Sequence, residues 1–315
     1  MHHILGNDKD WNEYMRKKFE VINNPEKEYQ ILSSFNHGGS GASVQIVKHI
    51  KTGTNAILKI YKNLIYNQSE KDTKPLREIY TTFVMSGTEG FPLLYDFGKL
   101  INSDGVEHLY LISELVSGET LTGIDLRQFD SKQMTVILLQ LINLLFVARS
   151  KLGTFIHNDL HPDNIFIDIK KCYSGKIDFG NDISSAILSP KVTIIDFDTA
   201  VSNRYQKYNI EHPESTVLSF INKFVGSKYN DYFMERSSIG KTDIQMWNLY
   251  YMLISILNWE KNNKNPITDI DIHEIIKNSK LCRTLDDCIS HPYITRQLIS
   301  KCSRNKGGYL QFKCL

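Results

Sequence analysis

One short segment limits what this chain can fold into more than any other part of the sequence. Residues 155–167 read FIHNDLHPDNIFI, so two apolar runs enclose a polar centre. Apolar runs this short are typical of buried strand ends, and the polar centre is then a loop held between them. The loop contains Asp159 and, five residues later, Asn164. These are a possible proton acceptor and a possible metal ligand at a fixed separation.

The size and composition of the chain fit one large domain or two lobes. Of its 315 residues, 41% are hydrophobic and 23% are charged, as in ordinary globular proteins. The formal net charge of +2 does not favour nucleic acid as a partner, so we expect no direct nucleic-acid binding. No apolar run is long enough to span a membrane and the start lacks a signal-peptide pattern. We therefore expect no membrane partner and an intracellular location, in the cytoplasm or nucleus.

The five cysteines bear on the redox environment of the chain. Their number is odd and no Cys-x-x-Cys pair occurs. This pattern favours free thiols in a reducing compartment over a disulfide framework or a zinc site.

The first thirty residues predict a helical extension that packs against the rest of the protein. Trp11, Met15 and Phe19 recur every four residues and would share one helix face. A glycine cluster follows at residues 38–41, before an alternating strand pattern. Because glycine has no Cβ, the backbone N–H groups of such a turn can approach a phosphate closely, although a plain hairpin would also explain it.

A lysine stands within the apolar strand pattern of residues 55–61, which read NAILKIY. A buried ammonium group needs a partner, since an unpaired buried charge is costly. Glu78 lies nineteen residues after Lys59, in an amphipathic segment that predicts a helix. The sequence therefore predicts a pair between these two residues.

The glycine turn, the strand lysine and the helix glutamate resemble, in this order, the small lobe of eukaryotic protein kinases. The resemblance implies that ATP is the cofactor and that Lys59 holds its α- and β-phosphates while paired with Glu78. Gly39 falls on the second glycine of the kinase motif, whereas His37 and Ala42 replace the first and third. The strand at 108–116 looks like the kinase hinge. The cofactor-binding residues that the resemblance implies are His37, Gly38, Gly39, Ser40, Gly41, Ala42, Val44, Lys59, Glu114 and Val116.

The loop at 155–167 is similar to the kinase catalytic loop. This likeness implies that Asp159 is the catalytic base and that Asn164 is a ligand of Mg²⁺. His161 stands where most protein kinases carry lysine. The pattern His-x-Asp-Leu-His-x-x-Asn is similar to haspin-type kinases, to some giant-virus kinases, and to aminoglycoside or choline phosphotransferases.

Two aspartates compete for the role of second metal ligand. Asp178 begins a literal Asp-Phe-Gly fourteen residues after Asn164, but the residues before it are polar and turn-like. Asp196 follows the apolar run Val192–Ile195, a strong signal for a buried strand that would fix its position. We therefore select Asp196. Haspin-type kinases similarly carry an insertion before this aspartate, so residues 170–190 are expected to form an inserted hairpin.

The C-terminal part adds two further likenesses to protein kinases. Asp243 precedes an apolar helical segment and is a good N-cap, and it looks like the aspartate that braces the kinase catalytic loop. The segment around His291 resembles the closing motif of the kinase domain. The expected domains are a helical extension (1–30), an N-lobe (31–116), a C-lobe (117–298) and a C-terminal tail (299–315).

The fold predicted from these features is α+β: a bilobal, protein-kinase-like fold with a small β-rich N-lobe and a larger helical C-lobe. The predicted activity is ATP-dependent transfer of a phosphoryl group to serine or threonine hydroxyls of a protein substrate. His161 and Asp198 leave a small-molecule phosphotransferase as an alternative, against which Asp243 and His291 argue. A second alternative is a pseudokinase that acts as a binding scaffold. The composition, rich in Asn, Ile and Lys, suggests a large DNA virus or a protist as the source, and a viral protein could also act in the host cell or the virion.

Overall fold

The computed structural model describes residues 11–35, 42–61, 74–125, 129, 131–153, 155–157, 159–178, 183–202, 303–304 and 310–311. The chain divides into two compact units. The first comprises Met1–Val116 with Phe197–Thr199, and the second comprises Ser117–Asp196 with Ala200–Leu315.

A five-stranded antiparallel sheet is the centre of the first unit, with its strands in the order β1-β2-β3-β5-β4. Successive strand residues face opposite sides, so Leu58 joins Tyr110 and Ile112 in a hydrophobic core on one side of the sheet. Lys59 consequently lies on the other side. The strands are β1 (Tyr29–Phe35), β2 (Ala42–His49), β3 (Asn55–Tyr61), β4 (Leu94–Ile101) and β5 (Glu107–Glu114).

An aromatic cluster joins two helices in the described part of this unit to the sheet. The helices are α1 (Trp11–Phe19) and α2 (Lys74–Met85). The ring of Trp11 lies 5.1 Å from that of Tyr80 and 5.4 Å from that of Phe83, both in α2, and 5.8 Å from that of Phe97 in β4. Phe19 also lies 5.8 Å from Phe97. The helix thus packs against the rest of the unit as predicted, but the predicted helical extension to residue 30 is wrong in its second half. The helix ends at Phe19, and a 3₁₀ turn at Pro25–Lys27 and the start of β1 at Tyr29 follow it.

The second unit contains one long helix and several short strands within the described residues. The helix is α3 (Ser131–Leu152). Three small sheets have the orders β11-β8-β6, β12-β7 and β13-β14-β10-β9. The strands are β6 (Glu119–Thr120), β7 (Phe155–Ile156), β8 (Ile165–Asp168), β9 (Tyr173–Asp178), β10 (Ile183–Leu188), β11 (Lys191–Ile194), β12 (Val201–Ser202), β13 (Ser303–Arg304) and β14 (Leu310–Gln311).

Two buried amides of α3 hold neighbouring strands in place. The Gln140 side chain donates to the carbonyl of Pro190 at 2.7 Å and accepts the backbone N–H of Val192 at 3.0 Å. Asn143 donates to the Tyr173 hydroxyl at 3.0 Å. A buried amide without such partners would be costly, so these bonds fix the position of β11 against the helix.

The α+β class with a β-rich N-terminal part is confirmed, and some local expectations are wrong. The residues before Asp178 are not turn-like, since Tyr173–Asp178 is strand β9 and pairs antiparallel with β10 along its whole length. The two strands form an antiparallel hairpin within residues 170–190, where the sequence predicts one. Cys172 is disulfide-bonded, so the expectation of free thiols is wrong for this cysteine. An odd count and the lack of Cys-x-x-Cys carry no information on pairing between cysteines that are distant in sequence.

Several predicted features fall outside the described residues. These are the glycine cluster at residues 36–41, the helix led by Asp243 and the segment around His291. In the portion of the chain that the structure describes, none of the helices has the length and apolar character needed to cross a membrane.

Candidate active site

Lys59 and Glu78 form a buried ion pair in the first unit. The Nζ atom of Lys59 lies 2.8 Å from Oε2 of Glu78 and 3.1 Å from Oε1. The two residues are 8% and 5% exposed. Their pairing joins β3 to α2 and satisfies a lysine that would otherwise be costly to bury.

Tyr61 contacts both members of this ion pair. Its hydroxyl donates to Oε2 of Glu78 at 2.5 Å, and Nζ of Lys59 lies 5.6 Å from the centre of its ring. Of the predicted nucleotide-binding residues, Ala42 and Val44 lie on β2, directly opposite Tyr61 and Lys59 on β3. The remaining residues of that glycine cluster are outside the described part of the chain.

The predicted hinge begins at the end of β5. The backbone N–H of Glu114 donates to the Leu93 carbonyl at 2.8 Å, and the Glu114 carboxylate accepts the backbone N–H of Leu93 at 3.1 Å. Val116 follows this anchored position outside any strand and is half-buried. Glu114 therefore has a fixed backbone, while Val116 lies in the segment that follows the strand.

The second unit positions Asp159 and Asn164 within one tight loop. The backbone carbonyl of Asp159 accepts the side-chain amide of Asn164 at 2.8 Å and the backbone N–H of His161 at 2.9 Å. A 3₁₀ turn, Pro162–Asn164, closes the loop, and the Nδ1 atom of His161 caps it by accepting the N–H of Asp163 at 3.2 Å. The Asp159 side chain keeps 39% of its surface exposed.

His161 lies between these two candidate residues. Its Nε2 atom is 3.6 Å from the Asp159 carboxylate and 3.2 Å from the amide nitrogen of Asn164. Its Nδ1 atom is 3.6 Å from the Asp163 carboxylate. The ring thus contacts groups on both sides of the loop.

Ile195 joins this loop to Asp196. Its backbone N–H donates to the Asn164 carbonyl at 3.0 Å, and its own carbonyl lies 2.9 Å from Nε2 of His157. A carbonyl can only accept, so Nε2 of this histidine carries the proton. Both bonds fix the residue that immediately precedes Asp196.

Asp196 and Asp178 occupy different settings. Asp196 follows β11, which pairs with β8, the strand that begins directly after Asn164. It has a left-handed backbone with φ of 63°. Asp178 ends β9, opposite Ile183, in a different sheet. The structure thus brings Asp196, and not Asp178, into the hydrogen-bonded surroundings of Asn164.

The side-chain oxygen atoms of Asn164 and Asp196 are of the kind that a hard divalent cation prefers. The side-chain amide nitrogen of Asn164 donates to the Asp159 carbonyl, which leaves its Oδ1 as the atom suited to a metal. Asp196, next to Ile195 in sequence, would supply a carboxylate. No cluster of three or more His, Cys, Asp or Glu side chains able to hold a metal occurs among the described residues. Mg²⁺ commonly takes only one or two protein carboxylates, with phosphate oxygens and water completing its shell.

The two histidines of the loop have pKa values shifted in opposite directions. The neighbouring Asp159 carboxylate is the main cause that raises the pKa of His161, and the charges of Asp163 and Asp196 add to it. His157 is fully buried, and burial lowers its pKa. His157 is therefore held neutral as a hydrogen-bond donor, whereas His161 binds a proton more readily than an ordinary histidine.

Sequence reasoning missed Tyr61, His157 and Ile195 as parts of these clusters. Tyr61 could have been found, because a residue two positions after Lys59 shares its face of a strand. The roles of His157 and Ile195 depend on backbone bonds between segments 38 residues apart, and no local pattern reveals them.

Comparison with known proteins identifies the family of this chain. A family model described as Haspin like kinase domain matches residues 9–286, which is most of the chain. A search of curated proteins found no match. Protein kinases of this kind use ATP to phosphorylate proteins. The chain therefore belongs to the Haspin like kinase domain family, a divergent branch of the eukaryotic-type protein kinases with their bilobal α+β fold.

Proposed function

We propose that this protein transfers the γ-phosphoryl group of ATP to serine or threonine hydroxyls of a protein substrate. In this proposal Asp159 is the catalytic base, and Asn164 and Asp196 are ligands of Mg²⁺. The observation that carries it is that the backbone N–H and the backbone carbonyl of Ile195 are both hydrogen-bonded. Because both of its backbone groups are tied to the catalytic loop, Asp196 is held beside Asn164.

Asp159 is suited to the role of base. Its backbone carbonyl is fixed by two hydrogen bonds, while its carboxylate remains partly exposed. A fixed backbone with an accessible carboxylate can orient an incoming hydroxyl and accept its proton.

Lys59 is suited to phosphate binding. The ion pair with Glu78 limits the movement of its ammonium group within a largely buried setting. Mg²⁺, when bound, neutralises phosphate charge and aligns the transferred group. The described residues thus provide electrostatic stabilisation and orientation, and these supply most of the catalysis in phosphoryl transfer.

The test is the transfer of labelled γ-phosphate from ATP and Mg²⁺ to a panel of acceptors. The panel contains myelin basic protein, casein, the enzyme itself, an aminoglycoside and choline. We expect label on serine or threonine of protein acceptors. Asp159→Asn should reduce the rate at least about a hundredfold, since general base catalysis contributes this much or more. Asp104→Asn, in an exposed turn, is the matched control and should retain the wild-type rate.

Label found only on the aminoglycoside or on choline would reassign the protein to the small-molecule phosphotransferases. If ATP binds but no acceptor is labelled, the chain is a binding scaffold and the proposed reaction is wrong. Label on tyrosine would retain the reaction and refute the proposed acceptor.

A further inference from the structure

The buried cluster of Lys59, Tyr61 and Glu78 contains one residue to which the proposed reaction assigns no role. Lys59 and Tyr61 are two positions apart on β3, so their side chains lie on the same face of the sheet. Tyr61 is 4% exposed, and its hydroxyl therefore needs a partner inside the protein. Glu78 of α2 supplies that partner at 2.5 Å.

Each of the three side chains contacts the other two. Lys59 bonds to both carboxylate oxygens of Glu78, the Tyr61 hydroxyl bonds to one of them, and the ammonium group lies over the tyrosine ring. Cationic and aromatic groups at this distance attract each other, and a hydrogen bond to a charged carboxylate is stronger than one between neutral groups. The cluster therefore has one preferred arrangement.

The hydroxyl matters most when Lys59 has a second partner. Lysine carries a compact charge on a flexible stem and can share its hydrogen bonds between a carboxylate and phosphates. A nearly buried Glu78 carboxylate that lost part of its contact with Lys59 would need another donor to stay in place. Tyr61 supplies that donor and does not compete for phosphate, because it carries no positive charge.

We propose that Tyr61 is a positioning residue for phosphoryl transfer, which acts by fixing Glu78 and through it the ammonium group of Lys59. This inference rests on the proposed role of Lys59 in phosphate binding. The hydrogen bond from Tyr61 to Glu78 then keeps the Lys59–Glu78 pair formed, and its donor lies on the same strand as Lys59.

The chain offers a matched control in Tyr110. Its hydroxyl also donates to a carboxylate, Asp96, at 2.6 Å, and the residue is likewise buried. Tyr110 lies opposite Ile60 on the neighbouring strand, so it occupies the other face of the sheet from Tyr61. Tyr61→Phe and Tyr110→Phe therefore remove the same chemical group from the same sheet, and only the first touches Glu78.

The experiment measures ADP release with myelin basic protein as acceptor, at varied ATP, for folded variants checked by thermal unfolding. Tyr61→Phe should lower kcat about tenfold, because it removes one hydrogen bond to a charged group. The KM for ATP should change by less than about threefold, because the correct position of Lys59 matters most in the transition state. Tyr110→Phe should remain within about twofold of the wild type. Tyr61→Leu, which also lacks the ring, should be at least as slow as Tyr61→Phe.

A double-mutant cycle separates positioning from general stabilisation. If Tyr61 acts through Glu78, kcat of the double variant Tyr61→Phe/Glu78→Gln should be less than about twofold lower than kcat of Glu78→Gln alone. A full tenfold loss in that background, or equal losses for Tyr61→Phe and Tyr110→Phe, would overturn the inference and leave the proposed reaction intact. A wild-type rate retained by Lys59→Met would instead refute the proposed role of Lys59, and the role of Tyr61 with it.

Discussion

Asp196 is the single non-glycine residue with a positive φ in the described part of the chain. Aspartate tolerates this left-handed conformation better than most residues, but it still requires support from its surroundings. That support comes from Ile195, which is bonded on one side to Asn164 and on the other to His157. Strain held in this way is frequent where a side chain must be aimed at a ligand, which agrees with the proposed metal-binding role.

The sequence predicts the strand that precedes this residue but not the conformation of the residue itself. The apolar run before Asp196 predicted a buried strand, and β11 confirms it. The backbone angle could not be predicted, because it results from bonds to residues more than thirty positions away. The same limit hid the contacts of His161, which the sequence marked only as a substitution for lysine.

The raised pKa of His161 predicts a pH-dependent contribution to stability. The folded protein binds the proton more tightly than the unfolded chain, in which the pKa is near its ordinary value of about 6.5. This contribution to the free energy of unfolding is fully present below about pH 6.5 and is lost as the pH rises through the raised pKa. The stabilising effect of His161 relative to His161→Gln should therefore be greatest at low pH.

Denaturant unfolding of both proteins between about pH 5.5 and 8.5, without nucleotide or metal, measures this difference. His157, whose lowered pKa acts in the opposite sense, is present in both proteins, and its effect cancels. A difference that stays constant or grows with pH would show that the carboxylates of Asp159, Asp163 and Asp196 do not stabilise the protonated ring.

At the scale of elements, the sequence predicts a strand within an apolar run but not the strand character of a polar segment. Residues 55–61 were predicted as a strand with an inward lysine, and β3 has these bounds. Tyr173–Asp178 carries glycine and polar residues and looked like a turn, yet it pairs with β10 over six residue pairs. Tertiary pairing outweighs the intrinsic preference of such a segment.

The pairing of β6 with β8 depends on the absence of a side chain at Gly118. A Cβ atom there would lie 2.3 Å from the carbonyl oxygen of Ile167, and the φ of 98° is itself unfavourable for other residues. Gly118→Ala should lower the free energy of unfolding by about 3 kcal/mol, from strain and backbone displacement together. Gly105 is the matched control, since its φ is also positive, at 78°, but a Cβ atom added there would meet no atom within 4 Å.

Chemical denaturation of both variants is the measurement. Gly105→Ala should cost only about 1 kcal/mol, from the backbone angle alone. Equal losses in the two variants would mean that the close approach of β8 to Gly118 does not constrain the protein.

At the scale of the whole molecule, the order of motifs along the chain was the most informative property of the sequence. Lys59, Glu78, Asp159, Asn164 and Asp196 were selected together, and the family match over residues 9–286 agrees with the kinase assignment. The structure groups them into two clusters, one in each unit. What the sequence could not supply is the position of Asp196, since the contacts of Ile195 with Asn164 and His157 cross between separate segments.

The choice of Asp196 rather than Asp178 as the acidic metal ligand is central to the proposed reaction, and one comparison tests it directly. Label transfer from ATP to a protein acceptor is measured over a range of Mg²⁺ concentrations for the wild type, Asp196→Asn and Asp178→Asn. Asparagine preserves the size of the side chain and tolerates the left-handed backbone of residue 196. We predict that Asp196→Asn reduces transfer at least about a hundredfold and requires more Mg²⁺, because it removes charge where phosphate charge is neutralised. Asp178→Asn should match the wild type, and the reverse pattern would contradict the proposed site while leaving the family assignment unchanged.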